Sequence, residues 1–148
     1  MKKVLFIMVL TLLAVTPAQA QKGFNINALL NGRFKHSPHA TEIVVTGSKA
    51  AKIGLDVYHS LSVTDMALTP IIMKAVKADG VKAATKEVEY RGGSLYYGFY
   101  VFTSPKGYNR FVFYLDQSLA RKQPVSKVTL IYMAGNVSSD YIKKLIRQ

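Results

Sequence analysis

The chain has 148 residues, a formal net charge of +12 and no cysteine. Hydrophobic residues at 49% and charged residues at 19% exclude wholesale disorder and fit one globular domain, for which roughly 100–200 residues is usual. Without cysteine there are no disulfides, thiolate metal sites or cysteine nucleophiles.

The first twenty residues read as a secretory signal peptide. Lys2 and Lys3 give a basic start, Val4 to Val15 is apolar but for Thr11, and Pro17 leads into Ala18-Gln19-Ala20 with small residues where a signal peptidase needs them. As a helix the apolar run reaches only about 18 Å, short of a hydrocarbon core of about 30 Å. Cleavage near Ala20 leaves residues 21–148 as a single domain and, by removing Lys2 and Lys3, lowers the charge from +12 to +10. The expected location is the periplasm or the exterior.

Elements follow in chain order. Asn25 to Leu30 suits a short helical turn capped by Asn25 and stopped by Gly32, and Arg33 to Ala40 a loop. Thr41 to Thr46 is a β-branched strand. Leu55 to Val63 alternates, with Leu55, Val57, His59, Leu61 and Val63 on one face. The period then changes: after Pro70, Ile72, Ala75 and Val76 oppose Lys74 and Lys77 on a helix that Gly80 ends or kinks, Val81 to Lys86 being a candidate continuation. Glu87 to Arg91 and Leu95 to Thr103 flank Gly92-Gly93, a hairpin turn. Asn109 to Asp116 and Val125 to Met133 complete an antiparallel meander. Ser138 or Ser139 caps a last helix with Tyr141, Ile142, Leu145 and Ile146 on one stripe. The fold class is α+β: an antiparallel sheet of five or six strands including a C-terminal meander, with about two helices packed on one face.

Catalytic chemistry finds little support. His59 and Ser60 are neighbours on a strand and point to opposite faces, so they form no nucleophile–base pair. His59 lies on the apolar face and reads as a core histidine bonded to a backbone carbonyl. His36 and His39 have Pro38 between them and no acid nearby, which suits a solvated pair better than a metal site. Glu87 and Glu89 share a strand face beside a hairpin and read as solvated rather than as a glycosidase pair. Nucleotide-binding glycine motifs are absent. Gly98, inside an aromatic strand, marks close packing of a ring rather than room for a ligand. No catalytic residue, metal ligand or cofactor is assigned.

What remains is the nine tyrosines and the basic charge. Tyr96, Tyr100 and Tyr114 sit near the middle of the meander and are the expected aromatic contacts. Lys74, Lys77, Lys82 and Lys86 are expected to share an outward helix face. Export disfavours nucleic acid as the partner and favours an envelope protein, an acidic glycan or an anionic membrane surface.

The segments Gly92-Gly93-Ser94-Leu95-Tyr96-Tyr97-Gly98-Phe99-Tyr100, Asn109-Arg110-Phe111-Val112-Phe113-Tyr114 and Val128-Thr129-Leu130-Ile131-Tyr132-Met133-Ala134-Gly135 give the chain a family likeness. It resembles a family of small exported proteins of unknown function from gut Bacteroidetes. The resemblance implies an envelope or secreted location and brings no functional residues. The sequence therefore points to a non-catalytic exported protein that binds a partner or anionic surface through an aromatic and basic face. The alternative is a small hydrolase acting on glycan or peptide.

Overall fold

The computed structural model describes residues 23–147, so the segment read as a signal peptide lies outside the described residues. A 3-10 turn at Asn25–Ala28 precedes β1 (Ala40–Thr46), α1 (Gly47–Ala51) and β2 (Val57–Val63). A second 3-10 turn leads into α2 (Thr69–Gly80), followed by β3 (Thr85–Arg91), β4 (Ser94–Phe102), β5 (Asn109–Asp116), β6 (Val128–Gly135) and α3 (Ser139–Ile146). The strands form one six-stranded antiparallel sheet in the order β1-β2-β6-β5-β4-β3. The α+β class and the meander are as the sequence indicates. The chain crosses on α2 from β2 to the far edge, then returns strand by strand until β6 pairs with β2.

Local chemistry explains the elements. Pro70 sits in the first turn of α2, and Ile72 and Val76, one helical turn apart, are fully buried. Gly92 and Gly93 take φ of 58° and 81°, the left-handed conformation that a tight hairpin requires at both positions. The Ser138 hydroxyl accepts from the Tyr141 N–H at 3.2 Å and caps α3.

The helices divide between the two sheet faces instead of sharing one. On the first face, α2 and the Asn25–Ala28 turn cover Leu61, Tyr100, Val112, Leu130 and Tyr132. On the second, α1 and α3 place Ala50 and Ile142 against Phe99, Phe111, Ile131 and Met133. The reason lies in the middle strands, which are apolar on both sides, so each face needs a cover. A bulge in β4 makes a second difference. Glu89 pairs with Tyr97 but Tyr90 with Leu95, leaving Tyr96 as the extra residue. The alternation flips there, and Leu95 joins Tyr100 in the core beneath α2. Leu55 precedes β2 and packs with the second face, apart from Val57 and Leu61.

Candidate functional site

A cavity of about 450 Å³ opens on the first face between the Asn25–Ala28 turn, the C-terminal end of α2, the end of β4 and the start of β5. Phe24 and Phe102 form its aromatic walls, their rings in edge contact at 4.7 Å. Asp79, 4% exposed, pins the turn to α2. One carboxylate oxygen accepts the Asn25 backbone N–H at 2.6 Å and the Asn25 side-chain amide at 2.8 Å, and the other accepts the Ile26 N–H at 2.9 Å. Three donors thus meet its charge.

Two cations line the same cavity, Lys82 and Arg110. The Arg110 guanidinium lies 4.6 Å from the Phe24 ring centroid and hydrogen-bonds the Tyr132 side chain. Burial pushes the Tyr132 phenol well above its usual range, with Arg110 pulling the other way. Among the described residues the ion pairs are His59–Glu42, Arg91–Glu89 and Lys143–Glu87, so neither Lys82 nor Arg110 has a carboxylate partner there. A basic, aromatic-walled cavity of this kind can hold an acidic group.

The residues singled out from the sequence scatter. Lys74 and Lys77 are exposed on α2, with Lys77 5.4 Å from the Tyr90 ring centroid. Lys82 lies in the turn after α2 and Lys86 on β3, so the four lysines share no helix face. The cause is Gly80, where the helix stops. Tyr100 and Tyr114 are 3% and 0% exposed, so they belong to the core and offer no surface contact. Their alternation put them on the face that α2 covers. Tyr96, half-buried at the bulge, keeps an accessible ring, and the Arg91 guanidinium stacks on it at 3.5 Å. Arg110 was missed because a lone basic residue at a strand start carries no signal until Phe24 is packed against it.

His59 is a core residue, but its partner is a side chain. Its Nε2 lies 2.7 Å from Glu42 Oε2, and the pair is 5% and 15% exposed at the side chains. Strand pairing brings them together, since Glu42 and His59 sit diagonally across β1 and β2. The other carboxylate oxygen, Glu42 Oε1, is buried with no hydrogen-bond partner among the described residues. Neither residue lines the cavity above or the two clefts on the opposite face. A carboxylate–histidine pair can orient a general base, and here His59 is 4% exposed.

Fold and cavity together define a small α+β domain with a basic, aromatic-walled recess and a largely buried histidine–glutamate pair. The chain matches a family of unknown function (DUF6108) over residues 13–146 and belongs to it. No functionally curated protein and no solved structure matches it.

Proposed function

We propose that this protein is a non-catalytic binding domain, exported to the envelope of a gut Bacteroidetes bacterium, that takes an acidic group of an envelope component into the Lys82–Arg110 cavity. The observation that carries this reading is the convergence of two cations without carboxylate partners among the described residues on one cavity walled by Phe24 and Phe102. An acidic glycan suits it, because the aromatic walls can receive a sugar ring while the cations hold its carboxylate. The experiment is calorimetric titration of the protein with a hexuronate oligosaccharide and its neutral counterpart at low and physiological salt. Lys82→Gln and Arg110→Gln should each weaken binding of the acidic sugar about tenfold, a change of about 1.4 kcal/mol. Lys74→Gln with Lys77→Gln should change it little. The opposite ranking would assign the attraction to the outer face of α2 and sink the cavity reading.

The second reading is a hydrolase acting on glycan or peptide, favoured by the 2.7 Å Glu42–His59 contact. It requires an opening to His59, which is 4% exposed. Turnover of a glycan or peptide that is lost in His59→Gln would establish it.

A further inference from the structure

The second sheet face carries a different recess. Helix α3 has only eight residues and covers one end of the central strands, where Ile142 meets Phe99 and Phe111. Beyond its C-terminal end two clefts of about 330 and about 390 Å³ share Phe113, Leu115 and Ile146. The two clefts adjoin at these three residues and together make a groove beside the helix end. Taken together, the linings of the two clefts run from Glu89 on β3 to Tyr58 on β2 and so touch five adjacent strands. At about 4.8 Å between strands that is a length of about 19 Å.

The floor is chiefly apolar, formed by Phe113, Leu115, Ile131 and Met133 of the interior strands β5 and β6. Interior strands have both edges paired, so their backbone groups are committed to the sheet. A peptide laid in the groove would find no main-chain partners on the floor and would leave amides unsatisfied. A hydrocarbon chain carries no such groups. The β3 end of the groove is charged, but its Glu89 and Lys143 are each held in an ion pair. Arg91 bonds Glu89 at 2.5 Å, and Lys143 bonds Glu87 at 2.9 Å. Arg147, which lines the same end beside Tyr97 and Ile146, has no carboxylate partner among the described residues.

We propose that this groove binds a single-chain amphiphile with a carboxylate head, its acyl chain along Leu115, Phe113 and Ile131 and its carboxylate at Arg147. The site is on the opposite sheet face from the Lys82–Arg110 cavity and stands independently of it. The test uses the protein purified from cells expressing the full chain, free of detergent, titrated with a fluorescent polyene fatty acid and competed with dodecanoate or dodecanol. Saturable uptake at one site is expected, with dodecanoate displacing the probe at least about tenfold better than dodecanol. Arg147→Gln should abolish that preference while dodecanol competes as before. Leu115→Gln, at a half-buried position, should weaken both competitors, and Lys82→Gln and Arg110→Gln should change neither. Circular dichroism checks that each variant is folded. Absence of saturable uptake, or a carboxylate preference that persists in Arg147→Gln, overturns the proposal. So does a concentration-dependent dimer that excludes the probe and is lost in Leu115→Gln, because the groove would then belong to a second copy. Uptake only in the presence of anionic vesicles also overturns it, in favour of a membrane surface.

Discussion

The ring of Tyr100 fills the space that a side chain at Gly80 would need, so the end of α2 rests directly on β4. A Cβ at Gly80 would stand 2.9 Å from Tyr100 Cδ1 and closer still to Cε1. The other edge of the ring is held in the same way, since a Cβ at Gly98 would stand 2.7 Å from Tyr100 Cε2. The ring is wedged between two glycines and cannot yield to one without striking the other. Gly98→Ala is therefore expected to destabilise by about 1–3 kcal/mol in urea denaturation, the usual cost of overpacking. In a Tyr100→Leu background the same change should cost much less. Equal costs in the two backgrounds would mean that the ring is not the obstacle.

Tyr114 faces Gly98 across the β4–β5 ladder, and its hydroxyl is buried with no hydrogen-bond partner among the described residues. A buried hydroxyl without a partner has lost its water and gained nothing. Tyr114→Phe should thus leave the urea midpoint unchanged or raise it, by up to about 2 kcal/mol of stability. A loss above about 1 kcal/mol would show that the hydroxyl has a partner in solution.

Burial also governs alkaline stability. It pushes the Tyr100 phenol up to about 12 and those of Tyr114 and Tyr132 higher still. In the unfolded chain a tyrosine loses its proton near pH 10, so above that pH the unfolded state binds fewer protons than the folded one. The stabilisation these groups contribute is complete below about pH 10 and is lost as pH rises toward the folded values. Each tyrosine contributes a slope of about 1.4 kcal/mol per pH unit, and three together about 4. Against a total of about 5–15 kcal/mol, the domain should lose stability steeply above pH 10 and unfold cooperatively within about one to four pH units. The share of the tyrosinate absorbance that comes from these three buried rings should appear together with the loss of circular dichroism, and Tyr114→Phe should make the loss about a third less steep. Tyrosinate absorbance rising fully before the fold is lost would contradict the burial of these rings.

The sheet was legible because its signals are local. Gly92-Gly93 and the alternation in β2 and β5 report geometry within a few residues, and those elements stand where the pattern puts them, except that β2 begins at Val57 and leaves Leu55 outside it on the other face. Tyr100 and Tyr114 were misread as surface contacts because alternation separates the faces of a strand without saying which face a helix will cover. The bulge at Tyr96 was invisible for a related reason, since it is a mismatch between two strands and neither sequence shows it alone. The pairs that shape the sites, Asp79 with Asn25 and Glu42 with His59, join residues 54 and 17 positions apart. Such contacts arise only once the helix crossover and the strand register are fixed.

Asp79 provides the last prediction, because stability and the cavity meet there. Its carboxylate accepts three N–H groups from Asn25 and Ile26, two of them backbone donors of a 3-10 turn that has no side-chain cap of its own. Asp79→Asn keeps the shape but turns an acceptor into a donor that faces a donor. The expected loss is about 2–3 kcal/mol, from charge-assisted bonds worth about 1.5–3 kcal/mol each that are not additive. Hydrogen exchange should quicken at the amides of Asn25 and Ile26 before it quickens in β5 or β6, because the turn can detach while the sheet persists. With the turn loose, Phe24 no longer walls the cavity or backs Arg110, so affinity for the acidic oligosaccharide should fall even though both cations remain. Fatty-acid uptake on the other sheet face should be unaffected. A loss below about 0.5 kcal/mol with unchanged exchange at Asn25 and Ile26 would mean that the turn is held by Ile26 packing alone, and that Asp79 is dispensable to the site.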